Sequence, residues 1–432
     1  MKPSFLAGGL AVLALSLPCA AQELDPSTLP GIPEPKVEVK GDPPRKVTLP
    51  EYDPPCPPAV IVEPTIVGIP VTGPEYPHLW ADFDALLWWM KANNFSGPLV
   101  TTIRAPEDLA ATVTAGGLAD PNAAVLFGDQ PFRRDPQAGG RLTVGAALDP
   151  EGSIAFEASG FYLPLQVERF FARSDAAGNP ALALPFIDVF PGPPVETAAI
   201  IAGPFNGGVR TGFVLINNGT ELWGADANLV KALGYGWFGE FDLLAGVRYL
   251  QLRDILTIDA ATDGGGSTDD RFETRNEFVG GQLGLRHVLE GEWWRVQTTA
   301  KFALGDSHQT LDINGTSGLP LTAAGVTLPG GFYTAGSNIG RTHTDRLAFV
   351  QETGVNLTYK MTDCVQLTVG YTFLYWNHVY RSGNQIDRSI NPALNPAFSV
   401  VVPPGGPQQP QRLNAESSFW AQGINLGFRV TF

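Results

Sequence analysis

The chain closes on Gly423-Ile424-Asn425-Leu426-Gly427-Phe428-Arg429-Val430-Thr431-Phe432, in which every second residue is large and apolar. The residues between them are small or polar. Side chains alternate across a strand, so this stretch presents one wholly apolar face and one polar face. The same period of two recurs upstream. Ala81, Phe83, Ala85, Leu87 and Trp89 oppose Asp82 and Asp84, and Phe241, Leu243, Ala245, Val247 and Tyr249 oppose Glu240, Asp242, Gly246 and Arg248. Val365, Leu367, Val369, Tyr371 and Phe373 oppose Gln366, Thr368, Gly370 and Thr372. Further alternating segments lie near 141–148, 223–229, 279–286, 294–302 and 354–359, with a noisier one at 153–163. The expected fold is all-β, with about ten strands, an even number of the kind closed transmembrane barrels use.

The connections carry a second signal. Asp149–Gly152, Leu233–Gly236, Val288–Glu292 and Lys360–Asp363 are short and rich in turn formers. Between them fall long connections at 91–139, 164–219, 253–275, 305–346 and 377–416. Strict alternation of short and long predicts an up-and-down antiparallel barrel in a membrane, with both chain ends on the short-turn side. Aromatic residues are expected at two interfacial rims. The inner rim takes Trp80, Trp237, Phe238, Trp293, Trp294, Tyr359 and Phe432, and the outer rim Trp88, Trp89, Phe161, Tyr162, Trp223, Tyr249, Tyr375, Trp376 and Trp420.

Composition agrees with lipid-facing strands. The chain is 44% hydrophobic yet only 16% charged, with 49 glycines and 10% aromatic residues. Soluble domains average roughly 25% charged residues. No run of about 18 uncharged apolar residues follows the N-terminus, so no transmembrane helix is expected. A net charge of −15 argues against nucleic acid as a partner, since phosphate binding needs a basic surface.

Residues 1–21 have the layout of a secretory signal peptide. Lys2 precedes an apolar run from Phe5 to Leu17, and Cys19 and Ala21 suit cleavage before Gln22. Pro18 disfavours the alternative in which Cys19 is acylated. Residues 22–78 carry Pro43–Pro44, Pro54–Pro55 and Pro57–Pro58 and no strand periodicity. They are expected to form an extended periplasmic spacer, either a stiff tether or a segment that meets the cell wall. The barrel then spans 79–432.

Several motifs, taken in order, resemble the beta-barrel porin-7 family of bacterial outer-membrane proteins. They are Leu86-Leu87-Trp88-Trp89 with Pro98-Leu99-Val100-Thr101-Thr102, Gly139-Gly140-Arg141-Leu142-Thr143-Val144-Gly145, and Gly246-Val247-Arg248-Tyr249-Leu250. Phe272 to Phe278 with Gly281-Gln282-Leu283-Gly284, and Gly370-Tyr371-Thr372-Phe373-Leu374-Tyr375-Trp376, continue the series. The resemblance runs from about Trp80 to Phe432 and implies a barrel, with no defined substrate. The terminal strand, with Phe428, Val430 and Phe432, resembles the signal that barrel-assembly machinery reads.

The polar faces place Asp82, Asp84, Arg141, Glu240, Asp242, Arg248, Arg286, Arg295, Lys301 and Glu352 in the lumen. Such charges either line a water path or pair and fill the interior. About eight strands already give a barrel packed by side chains, so a filled or constricted lumen is expected, which loss of Arg248's pairing would open. Asp82-Phe83-Asp84 offers paired carboxylates, but His308, His343 and His378 lie toward the opposite rim. Neither Gly-x-Ser-x-Gly nor His-Glu-x-x-His occurs. The chain is therefore expected not to be an enzyme, and no cofactor or metal is indicated. Cys56 and Cys364 could bridge the spacer to the rim in an oxidising compartment, or remain two free thiols. The leading reading is a passive or structural outer-membrane barrel, or a narrow porin-like channel. The alternatives are an adhesion barrel acting through its long loops and, last, a barrel hydrolase.

Overall fold

A computed structural model of the chain describes residues 79–104, 115–130, 135–236, 238–264, 266–318, 327–362, 364–398 and 405–432. The signal peptide, the spacer, Cys56 and Trp237 lie outside the described residues.

Ten strands form one antiparallel ring. They are β1 (Leu79–Met90), β2 (Gln137–Ala147), β3 (Ile154–Arg173), β4 (Gly212–Gly236), β5 (Gly239–Thr262), β6 (Ser267–Glu290), β7 (Trp294–Gly318), β8 (Gly340–Lys360), β9 (Val365–Tyr380) and β10 (Glu416–Thr431). Each strand pairs with its neighbours in sequence, and β10 returns to β1 with Phe83 opposite Phe428 and Leu87 opposite Ile424. Closure leaves no sheet edge, which a bilayer requires, since its core offers backbone groups no water.

Outward side chains in the half nearest the short turns are apolar and open. Val247 is 61% exposed and Leu283 64%, and Leu229, Leu357 and Leu426 share the same belt. A continuous apolar ring of this size is not tolerated in water and marks a transmembrane barrel. Phe238, Trp293, Trp294, Tyr359 and Phe432 crown the belt at the turn end. Four aromatic residues assigned to the rims instead point inward. Trp88 and Trp376 are fully buried, Phe161 is buried beside Trp88, and Trp80 packs over Gly145 inside the barrel. A Cβ at Gly145 would stand 2.1 Å from the Trp80 indole, so only glycine fits there.

The long connections are shorter than the sequence pattern implied. The 253–275 connection is mostly strand, with Leu252 opposite Asn276 and Ala261 opposite Ser267, so β5 and β6 meet in a tight turn. Strand structure also covers much of the expected connections at 164–219 and 305–346. A membrane crossing needs roughly 9–11 residues, whereas β5 has 24 and β7 has 25. The surplus rises past the belt at the loop end, where the alternation inverts. Leu252, Leu256, Ile258 and Ala260 face inward and are buried, while Arg253, Thr257 and Asp259 face outward.

The remaining connections fold into the loop-end mouth. Segments Val100–Ile103, Ala123–Phe127, Leu182–Asp188, Val195–Phe205 and Gly208–Arg210 form a second sheet, with Ser389–Ile390 parallel to Leu182–Asp188. Leu99, Leu182, Leu184 and Phe186 from this cap share one apolar core with Ile216, Ile258, Phe272 and Ile313 of the barrel wall. Asp270 of β6 ties the cap down, accepting hydrogen bonds from the Phe332 and Tyr333 amides and the Thr334 hydroxyl.

Above the membrane, Asp259 and Asp269 stand directly opposite across the β5–β6 hairpin. Partial burial, then the hydrogen bond and charge of Asp269, push the Asp259 carboxyl up to about 7. Its folded pKa exceeds the unfolded one, so its stabilisation is present below about pH 4 and is lost as pH rises toward 7. Hydrogen exchange of the hairpin amides, corrected for intrinsic rate, should therefore be slower at pH 5 than at pH 8. Asp259→Asn should flatten that difference.

Candidate functional site

The inward faces of β1–β10 stack the lumen in layers. At the turn end a vestibule of about 660 Å³ is lined by Trp80, Glu240, Asp242, Arg295, Gln366 and others. Arg286 and Arg429 stand at its inner wall and also border a second, smaller polar pocket of about 80 Å³. Arg286 donates to both oxygens of Glu157 at 2.7 and 2.8 Å, with Asp242 at 3.9 Å. Arg429 grips Asp82 through two hydrogen bonds, one of 2.7 Å. Two guanidinium–carboxylate pairs, that of Arg429 forked through Nε and Nη2, thus stand between the vestibule and the inner pocket.

Deeper in, Arg248 bridges Glu352 at 2.8 Å and Asp226 at 3.1 Å, and Lys301 reaches Asp226 at 3.0 Å. Arg141 lies 3.7 Å from Glu352, its guanidinium over the rings of Trp88 and Phe161 at 5.3 and 5.7 Å. Asp84 lines the inner pocket opposite Arg141 in register. Glu240 faces the vestibule. Arg295 faces it too and makes no ion pair among the described residues.

Three partners escaped the list read from the sequence, namely Glu157, Asp226 and Arg429. Asp226 and Arg429 sit on polar faces already visible as alternation, so charge on those faces was the available signal. Glu157 lies in the noisy 153–163 segment, where that signal is weak. Arg286–Glu157, Arg248–Glu352 and Lys301–Asp226 each join strands that are not neighbours in the ring, so they cross the lumen.

Past the charges the lumen turns apolar. Leu86, Trp88, Leu163, Leu222, Leu250, Phe278, Ala303, Val350, Leu374, Trp376 and Phe419 belong to one buried cluster to which every strand except β2 contributes. Trp88 donates from Nε1 to Asn425 at 2.9 Å, joining the plug to the polar layer below. Above the plug, Arg381 pairs with Asp254, both almost fully buried, and its guanidinium donates to the Lys91 carbonyl at 3.2 Å. Asn276 holds Tyr380 through its backbone amide at 2.6 Å and carbonyl at 2.9 Å. The expectation that Arg248 alone gates a path is thus revised, because a solute passing Arg248 still meets the plug and then the cap.

No histidine among the described residues stands beside Asp82 or Asp84. His308 pairs with Asp345 at 2.6 Å near the loop end. Cys364 is exposed in the β8–β9 turn, and its candidate partner Cys56 lies outside the described residues.

The ring, the apolar belt and the packed interior define a transmembrane β-barrel whose own side chains fill its lumen. Residues 80–432 match the family described as Putative beta barrel porin-7, and the chain belongs to that family. No curated protein matches the sequence. Among solved structures, the outer membrane protease OmpT of Escherichia coli matches at TM-score 0.39 and 10% identity, covering 82% of this chain and 96% of that one. The Pseudomonas putida toluene transporter TodX gives 0.18 and 10%, with 82% and 89% coverage, and a Pseudomonas aeruginosa FadL homologue 0.21 and 7%, with 82% and 90%.

Breaking a buried pair strands a charge, which costs about 3–5 kcal/mol, whereas an exposed pair is worth about 1 kcal/mol or less. Arg286→Ala, which leaves Glu157 buried, should lower the urea unfolding free energy of vesicle-reconstituted protein by about 3–5 kcal/mol. Arg341→Ala, on a side chain 64% exposed and paired with Asp312, should change it by under about 1 kcal/mol.

Proposed function

We propose that the chain is a structural, non-conducting barrel of the bacterial outer membrane, with the short turns and both chain ends in the periplasm and the capped mouth outside. In this reading its partners are the bilayer, through the apolar belt, and the barrel-assembly machinery, through a last strand whose Phe428 and Phe432 are exposed. A segment rich in proline ahead of β1 would tether it on the periplasmic side.

The observation that carries this reading is the apolar plug. A hydrated ion reaching Leu86, Leu250 and Trp376 would shed its water against groups that offer no ligand, at an idealised cost of tens of kcal/mol. The charged layer beneath it holds Arg248, Lys301, Arg286 and Arg429 in ion pairs, and the cap covers the other side. Against hydrolysis, Asp82 is committed to Arg429 and the described histidines lie elsewhere.

Refolded protein in planar lipid bilayers is expected to be silent at neutral pH, and Arg248→Ala should stay silent because the plug lies beyond it. Replacing Trp88 and Trp376 together by serine removes the two largest plug side chains and should produce discrete conductance steps. A steady current from the unaltered protein would overturn the reading in favour of a narrow channel.

A further inference from the structure

The vestibule at the turn end is a blind cavity of about 660 Å³, within the ordinary range of small-molecule pockets. Arg286 and Arg429 at its inner wall each hold a carboxylate, Glu157 through the Arg286 Nη2 and Asp82 through the Arg429 Nε and Nη2, although the Arg286 Nε is also without an acceptor. Arg295 opens into the same cavity and has no carboxylate partner at all among the described residues. Its Nε is shielded from solvent and has no acceptor. Gln366, two strands along the same side of the wall, also holds a buried side-chain oxygen without a donor. Buried polar groups are normally satisfied, and a guanidinium takes a planar, two-oxygen acceptor best.

The surroundings narrow the class of acceptor. Glu240, Asp242, Glu290 and Glu292 share the cavity, so a dianion would meet repulsion that a single negative charge largely escapes. Trp80, Val230 and Met361 supply an apolar wall for a carbon body. We infer that Arg295 anchors an organic monocarboxylate in this vestibule, its two oxygens on the guanidinium and its apolar part toward Trp80. The ligand enters from the turn end and stops at the Arg286–Glu157 and Arg429–Asp82 pairs. Such a site is independent of whether the barrel conducts, so the bilayer recordings and the experiment below fail separately.

Benzoate is a suitable probe, titrated by calorimetry into the full chain folded in an uncharged detergent, with folding of every variant checked by heat-dependent gel mobility. Saturable binding at one site per chain is expected. Arg295→Gln should weaken it at least tenfold, and Arg295→Lys, which keeps the charge but loses the fork, should fall between. Lys360→Gln removes the same unit of charge at the rim, from a side chain held by Glu290 at 2.5 Å, and should change affinity less than twofold. Inorganic phosphate should bind more weakly than benzoate. The inference is overturned by a wild-type protein with no saturable benzoate heat. It is equally overturned by an Arg295→Gln protein that binds as the wild type does, or by equal losses in Arg295→Gln and Lys360→Gln.

Discussion

Everything in this molecule follows from the pairing of β10 with β1. Inside hydrocarbon, an unpaired backbone amide or carbonyl costs several kcal/mol, so a sheet there has to close. The register that places Phe83 against Phe428 does so, and it leaves every strand with neighbours on both sides. Closure then fixes which residues meet lipid and which meet each other. Because side chains alternate, choosing Phe83, Leu87 and Trp89 for the outside sends Asp82, Asp84, Leu86 and Trp88 within.

A ten-strand ring encloses a space only slightly wider than side chains can fill. This chain fills it in two ways. Near the turns, forked and bridging ion pairs cross the lumen. Buried pairs of this kind return little net stability against an apolar alternative, but breaking one is costly, so they fix strand positions more than they add free energy. Near the loops, aliphatic and aromatic side chains pack against one another inside the ring. The boundary is marked by Arg141, whose guanidinium faces Glu352 and rests on the Trp88 and Phe161 rings.

Beyond the membrane the solvent changes on the outside, and the sequence changes with it. The β5–β6 hairpin keeps its period of two but turns polar outward and apolar inward, as a barrel in water must. The inward residues there could not remain exposed, and the connections fold back as a sheet to cover them. Reading strands by their apolar outer face therefore ends each one where the polarity inverts. That is why 253–275 read as a loop although it is nearly all strand. The four inward aromatics, Trp80, Trp88, Phe161 and Trp376, were misplaced for a related reason. Position near a strand end says which rim a ring is close to, while parity decides which side of the wall it occupies.

The sequence by itself determined the strand class, the order of the hairpins, the closed antiparallel ring and the two faces of each strand in the bilayer, because these depend on a local period and on short turns. An adjacent-strand partner such as Arg248 with Asp226 follows from register, which the hairpin turn nearly specifies, whereas Arg429 with Asp82 depends on the seam between the last and first strands, which no turn joins. Only the tertiary structure decided the lumen-crossing pairs Arg286–Glu157, Arg248–Glu352 and Lys301–Asp226, the apolar plug and an Arg295 with no ion pair among the described residues. Those depend on the curvature and tilt that bring distant strands face to face across the barrel, and no local pattern in the chain encodes that distance.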